Sequence, residues 1–138
     1  MIVVDASVAI KWFVDEPDRD AARKVIESGD ILVAPDIVVL ETLSVLRRKQ
    51  RLKLISQQQI TRAVGEIRAC FADLISASNI ADEALKLSME LDHSIYDCSY
   101  LACAMLFDIK LITADVKFLR KVAQTRYAHH GVGLVKTD

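Results

Sequence analysis

The chain opens with an uninterrupted apolar, β-branched run, Ile2-Val3-Val4, that stops at a charge, Asp5. No alternation of polar and apolar residues marks a solvent-facing side, so the segment reads as a strand covered on both faces, as in a parallel sheet. Parallel neighbours cannot be joined by a hairpin and need crossovers, usually helical. The rest of the sequence supplies them. Ala6 to Val14 reads as a short helix, and Glu16-Pro17-Asp18 opens a second, with Pro17 in its first turn and Gly29 as its stop. Ile31 to Val33 is the next strand. Pro35-Asp36 starts a third helix that runs towards Lys53, and Ser56 with Gln59 has capping-box spacing for a fourth, through about Cys70. Leu74 to Ser76 reads as a brief strand, and Asn79 with Asp82 opens a helix ending near Leu91. Ser94 with Asp97 opens another that reaches Phe107, followed by strands at Lys110 to Thr113 and Val132 to Val135. Strands alternating with helices, without internal repeats, predict a three-layer α/β/α sandwich around a mainly parallel sheet.

Length and charge narrow the reading further. A chain of 138 residues is enough for one domain, expected to span residues 1–138. Its 18 Lys and Arg against 19 Asp and Glu leave a formal charge of -1, which excludes a polybasic binder drawn to polyanions by its overall field. Asp5 arrives before any apolar run reaches the length of a signal peptide or membrane span, so a cytoplasmic protein without membrane attachment is expected. Cys70, Cys98 and Cys103 are odd in number and lack Cys-x-x-Cys spacing, which argues against a disulfide framework or zinc ribbon and for buried thiols. His93 stands alone and His129 adjoins His130; none has metal-ligand spacing to a Cys or Glu. Gly131-Val132-Gly133 is too small a fragment for a dinucleotide site, no Gly-x-Ser-x-Gly elbow is present, and Asp5-Ala6-Ser7 lacks the second Asp of an aspartyl phosphotransferase.

Ligands of an open α/β sheet bind beyond the carboxyl ends of its strands, where Asp5 and Asp115 stand. Each is equally readable as a helix N-cap. Glu41 falls among Ile37, Leu40, Leu43 and Val45 on the third helix, and a carboxylate in such a sector needs compensation, with Arg48 two turns on as one structural partner. Asp97 shares its helical face with Tyr100, Leu101 and Ala104, and its spacing from Ser94 also suits a capping box. Taken together, four carboxylates gathered at one sheet end would repel one another unless a cation joined them. An all-oxygen set suits Mg²⁺, or Mn²⁺ in its place, and metal-assisted phosphodiester hydrolysis is the natural reaction class.

Four segments carry a resemblance. "VVDASV" (Val3 to Val8), "APDIVVLETLSVL" (Ala34 to Leu46), "YDCSYLACA" (Tyr96 to Ala104) and "KLITAD" (Lys110 to Asp115) resemble, in order, the acidic motifs of PIN-domain ribonucleases, and specifically of the small VapC-type toxins of toxin–antitoxin pairs. The likeness spans almost the whole chain. It implies an acidic site of Asp5, Glu41, Asp97 and Asp115, with Asp5, Asp97 and Asp115 holding Mg²⁺ and Glu41 ordering or deprotonating water. Ser7 and Thr113 would orient the carboxylates. Cys98 and Cys103 depart from the small or aliphatic residues usual in the family, which touches packing and not chemistry. The activity implied is endoribonuclease cleavage of RNA phosphodiesters. Alternatives from the same residues are a PIN-like interaction scaffold with little turnover and a DNA-directed metal-dependent nuclease.

A near-neutral chain must still hold a polyanion. Arg47 and Arg48, with Lys49, Arg51 and Lys53, form one basic track for RNA, and Lys117, Arg120 and Lys121 form another. Charges at a helix C-terminus equally complement its dipole. Hydrophobic content of 52% leaves apolar surface on the third and fourth helices for partners. The resemblance implies a homodimer and a VapB-like antitoxin packing along a groove near the acids.

Overall fold

The computed structural model describes residues 1–135. Five strands form one sheet: β1 (Ile2–Val4), β2 (Leu32–Pro35), β3 (Asp73–Ile75), β4 (Lys110–Thr113) and β5 (Gly131–Gly133), in the spatial order β3-β2-β1-β4-β5. Every pairing is parallel. Val3 registers against Val33 on one side and Leu111 on the other. These central residues are fully buried or nearly so, which is what an apolar run without alternation demands. Seven helices connect the strands: α1 (Ala6–Ala9), α2 (Arg19–Glu27), α3 (Ile37–Arg51), α4 (Gln57–Glu66), α5 (Ala77–Leu91), α6 (Ile95–Phe107) and α7 (Val116–Ala123). With right-handed crossovers, the outward run β1-β2-β3 puts α1 to α4 on one face and the return through β4 and β5 puts α5 to α7 on the other. α1 and α4 pack on α3, while α5 packs on α6, which lies over β1, β2 and β4. Strand order reverses between β1 and β4, so a crevice opens where Asp5 and Asp115 leave the sheet.

Several boundaries differ from the sequence pattern, for identifiable reasons. α1 tightens after Ala9 into a 3₁₀ turn over Ile10–Trp12, and the Trp12 indole N–H donates to the Ala22 carbonyl at 2.9 Å, tying this turn to α2. α2 begins at Arg19 and not at Pro17, because Asp18 adopts a left-handed φ of 70°. Gly29, with φ of 84°, ends that segment as expected. β2 runs on to Pro35, which registers against Ile75 of β3. α5 begins at Ala77, ahead of Asn79, since the Asp36 carboxylate accepts the Ala77 N–H at 3.1 Å and satisfies a terminal donor from outside the helix. β3 starts one residue early and β5 ends at Gly133. β5 lies close under α7: a Cβ on Gly131 would sit 3.0 Å from the Leu119 side chain. The capping box of Ser56 and Gln59, the end of α5, the extent of α6 and β4 all match the pattern. No helix among the described residues is long and apolar enough to cross a membrane.

Candidate active site

Asp5, Glu41, Asp97 and Asp115 line one cavity of about 500 Å³ at the carboxyl ends of β1 and β4. Four elements deliver them. Asp5 follows β1 and caps α1, its carboxylate accepting the Val8 N–H at 3.3 Å, while Asp115 follows β4 and caps α7 by accepting the Phe118 N–H at 3.0 Å. Both residues therefore cap a helix while also lining the cavity. Glu41 comes from α3 and Asp97 from the first turn of α6.

Asp5 is 6% exposed. Burial pushes its carboxyl up to about 6, although the Ser7 and Thr113 hydroxyls and the Val8 N–H pull it down, and nearby Asp97 pushes the same way as burial. Ser7 Oγ donates to Asp5 Oδ1, stands 3.3 Å from Thr113 Oγ1 and accepts the Ala114 N–H at 2.9 Å. Thr113 Oγ1 accepts the Asp115 N–H at 3.0 Å. Both hydroxyls thus bridge the ends of β1 and β4 and lock the two acids to one frame.

Glu41 is compensated by a residue the sequence does not put forward. Tyr100 donates its hydroxyl to Glu41 Oε1 at 2.7 Å across a separation of 59 residues, and Arg48 makes no ion pair with it. Burial raises the Glu41 pKa, with the Tyr100 bond opposing and Asp97 assisting. Asp97 does not complete a capping box: Ser94 Oγ accepts the Tyr96 N–H, and Asp97 Oδ2 lies 2.7 Å from His93 Nε2. His93 has no ligand spacing to a Cys or Glu, yet its ring nitrogen and the carboxylates of Asp97 and Asp115 lie within 4.8 Å of one another, and among the described residues no trio that tight includes Asp5 or Glu41. The signal for it was the i,i+4 interval to Asp97. Asp108, His129 and His130 make a second convergent group, but at the amino-terminal ends of the strands, far from the acids.

No Lys or Arg among the described residues lines the cavity. A buried carboxyl facing further acids, with hydroxyl donors and no internal cation, fits a divalent metal ion and its waters. The remaining wall is mainly apolar, from Ile10, Ile37, Leu40, Val45 and the ring of Tyr96, with Ser44 among them. Cys98 and Cys103 are fully buried, and burial pushes their thiols up to about 11 and about 12, as expected of inert core thiols, whereas Cys70 is only partly buried.

Residues 2–124 match the PIN domain family. The chain is a PIN domain. Among relatives, this PIN domain is 25% identical over 122 residues to a protein described as Ribonuclease VapC3 from Pyrobaculum aerophilum, covering 87% of this chain and 93% of that one. The fold is similar to the crystal structure of PAE2754 from Pyrobaculum aerophilum, with TM-score 0.71, 20% identity, and coverage of 96% of this chain and 88% of that chain. It is equally similar to a toxin–antitoxin complex from Klebsiella pneumoniae, with TM-score 0.72, 19% identity, and coverage of 99% and 100%. In this PIN domain the acids of the four sequence motifs are the acids of the cavity.

Proposed function

We propose that this PIN domain is a Mg²⁺- or Mn²⁺-dependent endoribonuclease that acts as the toxin of a cytoplasmic toxin–antitoxin pair. The observation that carries the reading is the convergence of four carboxylates from four elements on one cavity whose described lining contains no cation. Asp5, Asp97 and Asp115 would hold the metal ion. When bound, such an ion polarises a phosphodiester and lowers the pKa of an adjacent water. Glu41 suits the role of general base: Tyr100 fixes its Oε1, its Oε2 has no hydrogen bond to the described residues, and burial raises its proton affinity. Ser7 and Thr113 orient Asp5 and the backbone of Asp115.

Substrate would approach over exposed cations. Arg48 extends the α3 face that carries Glu41, Ser44 and Val45, Arg47 lies beside it, and Lys117 and Arg120 project from α7. Lys49 is paired with Glu16 at 3.0 Å, which offsets its charge, while Lys121 donates to the Asp92 carbonyl at 2.6 Å and keeps its charge. Leu40, 72% exposed, stands between the acid cavity and a second groove lined by Val39, Leu74 and Ala77. That apolar ridge suits an antitoxin segment laid along α3 with a basic side chain reaching the acids. Leu52 and Leu54, 65% and 66% exposed at the end of α3, suit a homodimer contact.

Incubation of total cellular RNA with purified protein and Mg²⁺ or Mn²⁺ tests the activity, beside Asp97→Asn and EDTA controls. Discrete fragments that vanish in both controls are expected. RNA left intact by the metal-loaded wild type, or cut equally by the variant, overturns the reading. Co-expression with the product of the neighbouring small gene is expected to yield a stable complex.

A further inference from the structure

The Asp97 carboxylate owes its place to a residue outside its own helix. His93 precedes the N-cap of α6, with only 10% of its side chain exposed, and its Nε2 lies 2.7 Å from Asp97 Oδ2. Two backbone contacts fix the residue and a third fixes its ring. Its backbone N–H donates to the Ser88 carbonyl at 3.2 Å, and the Ser88 hydroxyl donates back to the His93 carbonyl, both made possible by the left-handed turn of Asp92 (φ 48°) that ends α5. Its ring stacks on Phe118, with centroids 4.7 Å apart and planes at 25°. Phe118 is itself 1% exposed, and its backbone N–H holds Asp115 at 3.0 Å. One residue of α7 therefore sets Asp115 through its backbone and Asp97 through the stacked imidazole. One ligand atom each from His93, Asp97 and Asp115 consequently lies within 4.8 Å of the other two.

We propose that His93 is a positioning residue of the acid centre: its Nε2–H holds Oδ2 of Asp97, which keeps the carboxylate beside Asp115, where the two would hold a cation. This rests on the reading that Asp97 and Asp115 are metal ligands. Without the imidazole donor, Asp97 is free to swing to solvent, since 35% of its side chain is already exposed, and the two carboxylates lose their common frame. Partners that orient a metal-ligating side chain typically account for about 10- to 100-fold in metal affinity.

The test is Mn²⁺ binding to the full chain, followed by the electron paramagnetic resonance of the free ion, with Mg²⁺ affinity obtained by competition. His93→Phe keeps a ring against Phe118 and removes the donor, whereas His93→Gln returns an N–H at nearly the same reach. His93→Phe is expected to fold with little change in melting temperature and to bind both ions about 10- to 100-fold more weakly. His93→Gln is expected to restore binding to within a few-fold of wild type, and it carries the test if the Phe variant does not fold. Unchanged Mn²⁺ affinity in His93→Phe, or equal losses in the Phe and Gln variants, overturns the proposal. A loss confined to Mn²⁺ overturns it too, because it would make the imidazole a ligand and not a positioner. Asp97→Asn separates the two levels of inference. If it binds Mn²⁺ as wild type does, the acid-site reading itself fails; if it loses Mn²⁺ while His93→Phe keeps it, only the role of His93 fails.

Discussion

Asp5 lies at the end of the central strand and is 6% exposed, whereas Asp97 sits one turn into α6 with 35% of its side chain exposed, although both face the same cavity. The Asp5 side is built from groups close to it in chain or sheet: the Val8 N–H, the Ser7 hydroxyl and the Thr113 hydroxyl of the neighbouring strand. The Asp97 side depends on an imidazole that is itself wedged against another helix. One side holds its carboxylate against the cost of burial by donors in a rigid frame, the other by an articulated chain of contacts. The difference shows that two acids facing one cavity need not have equal consequences for stability. A buried carboxyl without its cation burdens the fold, while a half-exposed one does not.

Replacement of either acid breaks the comparison in the most visible way. With the proposed metal site, Asp5→Asn and Asp97→Asn are each expected to lower RNA cleavage by at least about 10³-fold, since each removes a charge assigned to the metal. The two variants should part company in metal-free stability at neutral pH. Asp5→Asn is expected to raise the denaturation midpoint, because an amide is cheaper to bury than a carboxylate, and Asp97→Asn to leave it nearly unchanged. Equal stability shifts in urea titrations would show that the two sides are held alike.

A pH titration of the metal-free protein sharpens the same contrast. The Asp5 carboxyl is raised from 3.8 in an unrestrained chain to about 6 in the fold, mainly by burial. The folded state therefore binds a proton more tightly than the unfolded chain. The stability that this proton brings is complete below pH 3.8 and disappears as the pH rises through 6. A loss on the order of 3 kcal/mol across that window is expected from this group. Asp5→Asn should remove this slope, and saturating Mg²⁺ should offset it at pH 7. A wild-type slope retained in Asp5→Asn would assign it to other groups.

How much of this was legible in the sequence follows the same division. The strand ends that place Asp5 and Asp115 were readable because buried parallel strands leave uninterrupted apolar runs, and the hydroxyls of Ser7 and Thr113 stand within two residues of those acids. Lys110–Thr113 and the box at Ser56 matched to the residue because their signals are local. Glu41 could be seen to need a partner, but not that Tyr100 supplies it, since nothing local links positions 59 residues apart. The early start of α5 was hidden for the same reason: its compensating carboxylate, Asp36, belongs to another crossover. His93 was half legible, its interval to Asp97 visible and its stacking on Phe118 not.

Tyr100→Phe probes the third acid at smaller magnitude. Its hydroxyl gives Glu41 a charge-assisted bond, so removal is expected to cost about 1–2 kcal/mol of stability and roughly tenfold in cleavage rate. The Glu41 pKa should climb further without that donor, and the activity profile should move towards higher pH. A rate unchanged at every pH would remove Glu41 from the role of base.

The smallest effect is expected one residue away, on the back of α3. Thr42 is fully buried and its hydroxyl has no hydrogen-bond partner among the described residues, in contrast to Asp5, whose burial comes with three donors. An unpaired buried hydroxyl destabilises a fold without serving the cavity. Thr42→Val keeps the shape and deletes the polar atom, so it should raise stability by about 1 kcal/mol and leave cleavage at the wild-type rate. Chemical denaturation beside an RNA-cleavage assay checks both halves. Destabilisation would mean that the hydroxyl is satisfied after all, and slower cleavage would mean that the rear face of α3 transmits its packing to Glu41. Either result would erase the distinction between polar groups buried for the site and polar groups merely tolerated by the core.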